Sequence, residues 1–217
     1  MKKILVIVPT RDRNEKCKEF AAEFFVNSSI SDLLFGLDDD NHHMYDRIPG
    51  ALYDVNPRMR LNGTLNFLAK KYAEQYEYIS FMGDDHRIRT KDWDSKIYEQ
   101  IKDTEFSVAY GNDLIQKEKL PTAVIMDSKI IRRLGYMSPP SLTHLFLDNF
   151  WKDLGYNLGT LRYFGDVVIE HMHYSTGKAD VDSLYEEVNS KEMTKKDRFA
   201  YTSYLESRFQ NDLGKFR

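Results

Sequence analysis

The sequence predicts an α/β domain with Rossmann-like layering: a mixed, mostly parallel central sheet flanked by helices. Three observations carry that expectation. Short, largely apolar runs stand at Ile4–Val8, Leu33–Leu37 and Tyr78–Met82, the pattern of strands buried on both faces. Between them apolar residues recur at helical spacing, first Cys17, Phe20, Ala21, Phe24 and Phe25, then Leu61, Leu65, Leu68 and Tyr72. The 217 residues suffice for one well-buried domain.

The first run ends at Pro9, and Arg11, Asp12 and Arg13 follow at once. Five apolar residues are too few for a secretory core or a bilayer span, so no membrane anchor is expected. Asn14 is the expected N-cap of the first helix. The second run ends at Asp38-Asp39-Asp40. Residues 42–58 read as one long loop with turn signals at Pro49-Gly50 and Asn56-Pro57, and loops of that length usually serve function. The third run ends at Gly83-Asp84-Asp85. Beyond it the pattern gives a helix over Asp92–Ile101, strands over Phe106–Tyr110 and Thr122–Met126, and a helix over Ser128–Leu134 closed by Gly135. A short helix over Leu145–Leu154, with Gly155 after it, and a strand over Val167–His173 complete the sheet. From Asp182 the chain turns polar, and Thr194 with Asp197 resembles a capping box for a last helix reaching Phe209. The expected division is a catalytic domain over 1–180 with a helical extension, 181–217, packed on it.

Acidic residues number 34 and basic ones 31, a net charge of −3, which argues against a protein that coats nucleic acid by bulk charge. A hydrophobic content of 41% with 13% aromatics excludes intrinsic disorder. A single cysteine, Cys17, excludes an internal disulfide and any paired-cysteine metal site, and points to a reducing, cytoplasmic compartment. The dinucleotide and P-loop glycine signatures, the serine nucleophile elbow and the zinc-protease helix are all missing.

Carboxylates cluster at two strand ends. In an open α/β sheet those ends line the ligand crevice. The acids would repel one another unless a cation or a bound ligand's donors neutralised them, and oxygen ligands suit Mg²⁺ or Mn²⁺. Val8-Pro9-Thr10-Arg11-Asp12-Arg13, Asp38–Asp40, Arg60…Asn66, Phe81-Met82-Gly83-Asp84-Asp85 and Leu147-Asp148-Asn149-Phe150-Trp151 together resemble, in order and spacing, the family 2 glycosyltransferases of the GT-A fold. The resemblance covers roughly residues 1–175. It implies a metal-dependent, inverting transfer from a nucleotide-diphosphate sugar, with UDP the expected nucleotide. The acceptor hydroxyl would belong to a saccharide or to a hydroxymethylated base in DNA. Pro9, Thr10 and Arg11 would line the nucleotide pocket, Asp39 would accept the nucleobase N–H, and Arg60 would approach the base or diphosphate. Asp84 would sit near the ribose and Asp85 on the metal, with Gly83 replacing the first acid of the family's motif. Asp148 falls at the family's catalytic base, and His144 is a second candidate.

His171 and His173 stand one residue apart on a predicted strand and so share a face. The resemblance implies that a histidine there completes the metal sphere or touches the diphosphate, and both are candidates. Lys178, after Gly177, would bring charge over the phosphates. Of the aromatics near element ends, Trp93 and Trp151 are the acceptor-side candidates. Arg87, Arg89 and Lys91 form a basic stretch that permits a polyanionic acceptor. Two other readings compete: a sugar-nucleotide nucleotidyltransferase, which wants a glycine-rich loop where Pro9–Arg13 has none, and a metal-dependent phosphoesterase built on the histidines and aspartates.

Overall fold

β1 (Lys2–Thr10) runs through the centre of the molecule because both of its faces are apolar. Leu5 and Ile7 enter one core, and Ile4, Val6 and Val8 enter the other, all fully buried. Each such side chain contributes about 1.5–3 kcal/mol by leaving water. The computed structural model describes residues 2–173, 177–178 and 190–217. The boundary expected at 180/181 lies outside those residues.

The other strands are β2 (Ser31–Asp38), β3 (Leu52–Asn56), β4 (Tyr76–Phe81), β5 (His86–Ile88), β6 (Val108–Asn112), β7 (Val124–Asp127) and β8 (Leu161–His171). They form one mixed sheet in the order β3-β2-β1-β4-β7-β6-β8-β5. β3, β2, β1 and β4 are parallel, and so are β6 and β8. β7 runs against both β4 and β6, and β5 against β8. The helices are α1 (Asn14–Asn27), α2 (Arg60–Tyr72), α3 (Trp93–Ile101), α4 (Ser128–Leu134), α5 (Leu147–Leu158), α6 (Lys191–Ser207) and α7 (Phe209–Gly214). Side chains of α1 and α3 pack in one core, and those of α2, α4, α5 and the C-terminal helices in the other.

Five local expectations are corrected. The stretch 42–58 contains β3 and a single 3₁₀ turn at His42–Met44. β3 is an edge strand with an inverted pattern, its Leu52 and Val55 exposed and its Asp54 and Asn56 buried. Asp54 is satisfied there by Lys71, Tyr72 and Asn56. The basic stretch after Asp85 begins in β5, whose His86, Arg87 and Ile88 are buried, while Arg89 and Lys91 beyond it are exposed. Asn14 does not cap α1; its amide instead holds the backbone N–H and carboxylate of Asp46. The last long helix starts four residues early, capped by Ser190, whose Oγ accepts the Met193 N–H at 3.2 Å. Gly135, at φ 85°, does close α4, whereas α5 runs through Gly155 and ends at Gly159, φ 70°.

Candidate functional site

The carboxyl ends of β1, β2 and β4 open into a cleft of about 410 Å³. Pro9, Thr10, Arg11 and Arg13 form one wall, and residues 143–148 with Trp151 form another. Asp38, Arg60, Asp84, Asp85, His171 and His173 also line it. Of the residues expected at the donor, metal, base and acceptor positions, Asp39, Trp93 and Lys178 do not.

Those three have identifiable employment elsewhere. Asp39 is exposed, and its N–H donates to the Asn56 carbonyl beside β3. Its neighbours Asp38 and Asp40 clamp Arg11, at 2.8 and 2.7 Å, so Asp38 is the acid of that trio that meets the cleft. Trp93 is fully buried among α1 and sheet residues, with Nε1 donating to Ser28 Oγ at 2.8 Å. Lys178 donates to Glu170 at 2.5 Å. The basic stretch is likewise engaged: Arg87 with Glu19 and the Asp84 and His86 carbonyls, Arg89 with Glu23 and Glu170, and Lys91 with the Val26 carbonyl. Tyr136 packs in the core and bonds Asp212.

Asp84 sits between two donors, Thr10 Oγ1 at 2.6 Å and Arg13 Nη1 at 3.1 Å. Burial pushes its carboxyl above the ordinary range against the pull of Arg13, and adjacent Asp85 adds to the rise. Asp85 goes the other way. Burial would raise it, but His171 and His86 outweigh that and hold it well below the carboxylate range. Its two oxygens lie 3.4 Å from His86 Nδ1 and 3.4 Å from His171 Nε2. The antiparallel register of β5 and β8 sets His86 opposite His171, and the rings stack at 4.5 Å. Burial tends to lower His171, yet Asp85 leaves it net raised; His86 is lowered by burial and by the charge of His171.

Asp85, His86 and His171 each offer a ligand atom, all within 4.8 Å of one another. One carboxylate with two imidazoles can hold a divalent cation, and the nitrogens suit Mn²⁺ better than Mg²⁺. His86 Nδ1 accepts the Gly83 N–H at 3.0 Å, and its buried Nε2 has no hydrogen-bond partner among the described residues. His173 lies beside His171, ring centroids 5.1 Å apart, outside that trio. Burial lowers its pKa. Sequence reasoning passed over His86 because it sits in a basic run; only the pairing of β5 with β8 sets it against His171.

On the opposite wall Asp148 occupies the first turn of α5, where Oδ1 accepts the Asn149 N–H at 2.9 Å. Burial raises its pKa above the ordinary carboxylate value, which makes its ionised form a stronger base than an exposed aspartate. His144 is pushed down to about 4 by burial and is neutral at pH 7. Trp151, tilted on Phe81 at 5.4 Å, forms part of the floor and donates Nε1–H to the Met137 carbonyl. Among the described residues no helix is long and apolar enough to cross a membrane.

No protein-family model matches the chain, and no curated protein matches it in sequence. Solved structures do match. A glucosyl-3-phosphoglycerate synthase from Mycobacterium tuberculosis, in complex with Mg²⁺ and uridine diphosphate, superposes with a TM-score of 0.61 at 11% identity, over 93% of this chain and 79% of that one. A mannosyltransferase from Pyrobaculum calidifontis, in complex with GDP-Man and Mn²⁺, gives 0.55 at 9% identity, over 98% and 72%. A CMP:2-keto-3-deoxy-manno-octonic acid synthetase complexed with CTP gives 0.53 at 9% identity, over 89% and 99%. The likeness is one of fold, and that fold is the GT-A type of nucleotide-sugar glycosyltransferases.

Proposed function

We propose that this GT-A-fold chain is a divalent-cation-dependent glycosyltransferase that moves a sugar from a nucleotide-diphosphate sugar to an acceptor hydroxyl. The observation that carries the reading is Asp85 flanked by His86 and His171 in the cleft that also holds the raised carboxyl of Asp148. Asp85 and the two histidines would hold Mn²⁺ or Mg²⁺, which when bound balances the charge growing on the departing diphosphate. Pro9, Thr10, Arg11 and Arg60 bind the nucleotide portion, with Asp84 fixed by Thr10 and Arg13 beside them. Asp148 takes the proton from the acceptor hydroxyl as its oxygen attacks the anomeric carbon, and one carboxylate suffices for an inverting displacement. UDP is the nucleotide we expect. A saccharide is the acceptor class the charge distribution favours, because Arg87, Arg89 and Lys91 are already paired with protein groups.

The test is donor turnover over a panel of UDP-, GDP-, CMP- and dTDP-sugars, with Mn²⁺ and with EDTA. Cation-dependent release of one nucleoside diphosphate is expected. The fold likeness to a synthetase complexed with CTP supports a second reading, nucleotidyl transfer. Pyrophosphate release from a nucleoside triphosphate and a sugar or sugar phosphate, with no consumption of nucleotide sugars, would establish it instead.

A further inference from the structure

We infer that Asp197, on the C-terminal helix α6, is a positioning residue that holds the 143–148 wall of the cleft. The side chain is fully buried, and its three hydrogen bonds all come from that wall's backbone. Oδ1 accepts the Thr143 N–H at 3.1 Å, and Oδ2 accepts the His144 and Leu145 N–H groups at 2.8 Å each. A buried carboxylate is costly unless charge-assisted hydrogen bonds satisfy it, so the chain stands to lose much if those three amides move. Its residues 143–146, ahead of α5, have no helix or strand of their own to fix them. It also carries a strained residue, Phe146, held at φ 67° just before α5, and a non-glycine residue stays in that region only where its surroundings over-determine it.

The surroundings come from two helices. From α2, the Asn62 N–H donates to the Thr143 carbonyl at 3.1 Å, and its side-chain amide donates to the Pro139 and Leu142 carbonyls. From α6, one turn supplies the remainder. Tyr201 stacks on Phe146 at 5.8 Å and donates its hydroxyl to Asp153 of α5 at 2.5 Å, while the Arg198 guanidinium lies 5.6 Å over the Phe146 ring. The wall leads directly into the turn that carries Asp148. The helical extension thereby sets where His144 and Asp148 stand relative to the Asp85 cluster. The kinetic consequence rests on the transferase reading above; the structural one does not.

The experiment compares wild type with Asp197→Asn and with Tyr136→Phe, which breaks a buried bond to Asp212 of α7 outside this wall. Amide hydrogen exchange over 143–148 should accelerate at least about 10-fold in Asp197→Asn and stay unchanged in Tyr136→Phe. kcat should fall about 10–100-fold in Asp197→Asn, the range for reacting groups displaced by an ångström, with Mn²⁺–UDP affinity within twofold of wild type. Tyr136→Phe should keep kcat. Equal effects of both variants on exchange and kcat would reduce Asp197 to general stability, and unchanged exchange in Asp197→Asn would overturn the inference outright. If wild type turned over no nucleotide sugar, the transferase reading would fail while the exchange comparison still decided the role of Asp197. Should Asp197→Asn not fold, wild-type exchange decides: the amides of Thr143, His144 and Leu145 should be protected at least about 100-fold over an unstructured peptide, and unprotected amides there would sink the idea.

Discussion

A Cβ on Gly83 would stand 2.5 Å from Asp85 Oδ1 and 3.1 Å from His86 Nδ1. The acid that the family's motif carries at this position therefore cannot coexist with the present placement of Asp85. Gly83→Asp is expected to weaken Mn²⁺-dependent UDP binding by at least about 10-fold despite adding a carboxylate, a loss that calorimetry would register. Asp85→Ala should abolish the metal-dependent part of that binding altogether. Asp148→Asn should leave donor affinity unchanged and lower kcat roughly 10²–10⁴-fold, and near-normal transfer in that variant would hand the base role to His144. In wild type the acid limb of kcat should lie above the ordinary aspartate value of 3.8, because burial raises Asp148. The Asp85–His171 pair also has a pH signature in metal-free protein. Asp85 is lowered, so its contribution is present above its unfolded value near 3.8 and fades as pH falls through the folded one. His171 is raised, so its contribution is full below 6.5 and is lost as pH rises through its folded value. Denaturant titrations should therefore find His171→Gln more destabilising at about pH 5.5 than at pH 9.

At the scale of elements, the short pairing of β5 with β8 does most to assemble the site. It has only three registered pairs, His86–His171, Arg87–Glu170 and Ile88–Ile169. Arg89 Nε and Lys178 both bond the Glu170 carboxylate. Glu170→Ala should loosen that pairing and weaken Mn²⁺ binding a few-fold without touching a ligand, which titration with the metal alone would detect. The same element explains what the sequence concealed. β1, β2 and β4 are continuous apolar runs ending in proline or acids, and such runs are legible. β5 is three residues long and two of them are basic or titratable, so its burial follows only from partners distant in sequence. β3 defeats pattern reading because its buried side chains are Asp54 and Asn56. Asp197 looked like one half of a capping box, and a helix end would have used it locally; it turns inward because residues 143–145 offer it three N–H groups instead.

At the scale of the whole molecule, ion pairs among the described residues engage the basic side chains near the cleft. The basic residues that follow Asp85 are engaged by Glu19, Glu23, Glu170 and backbone carbonyls. Counterion release on binding a polyanion would be small, so acceptor KM should change by less than about threefold between roughly 50 and 300 mM salt. A steep slope would point to a nucleic-acid acceptor. The cleft itself draws on β1, β2, β4, β5, β8, α2, α5 and, through Asp197, α6. Asp85 and His171 meet only after most of the sheet has closed. A cation held between them thus binds the native chain and not the unfolded one, which makes it a folding ligand as well as a cofactor. By mass action, Mn²⁺ at about 100 times its Kd would add roughly 2.7 kcal/mol of stability, and removing it with EDTA would return the melting temperature to that of the metal-free wild type, while Asp85→Ala would gain no stability from Mn²⁺. Metal supply would then govern not only how fast the protein works but how much of it stays folded.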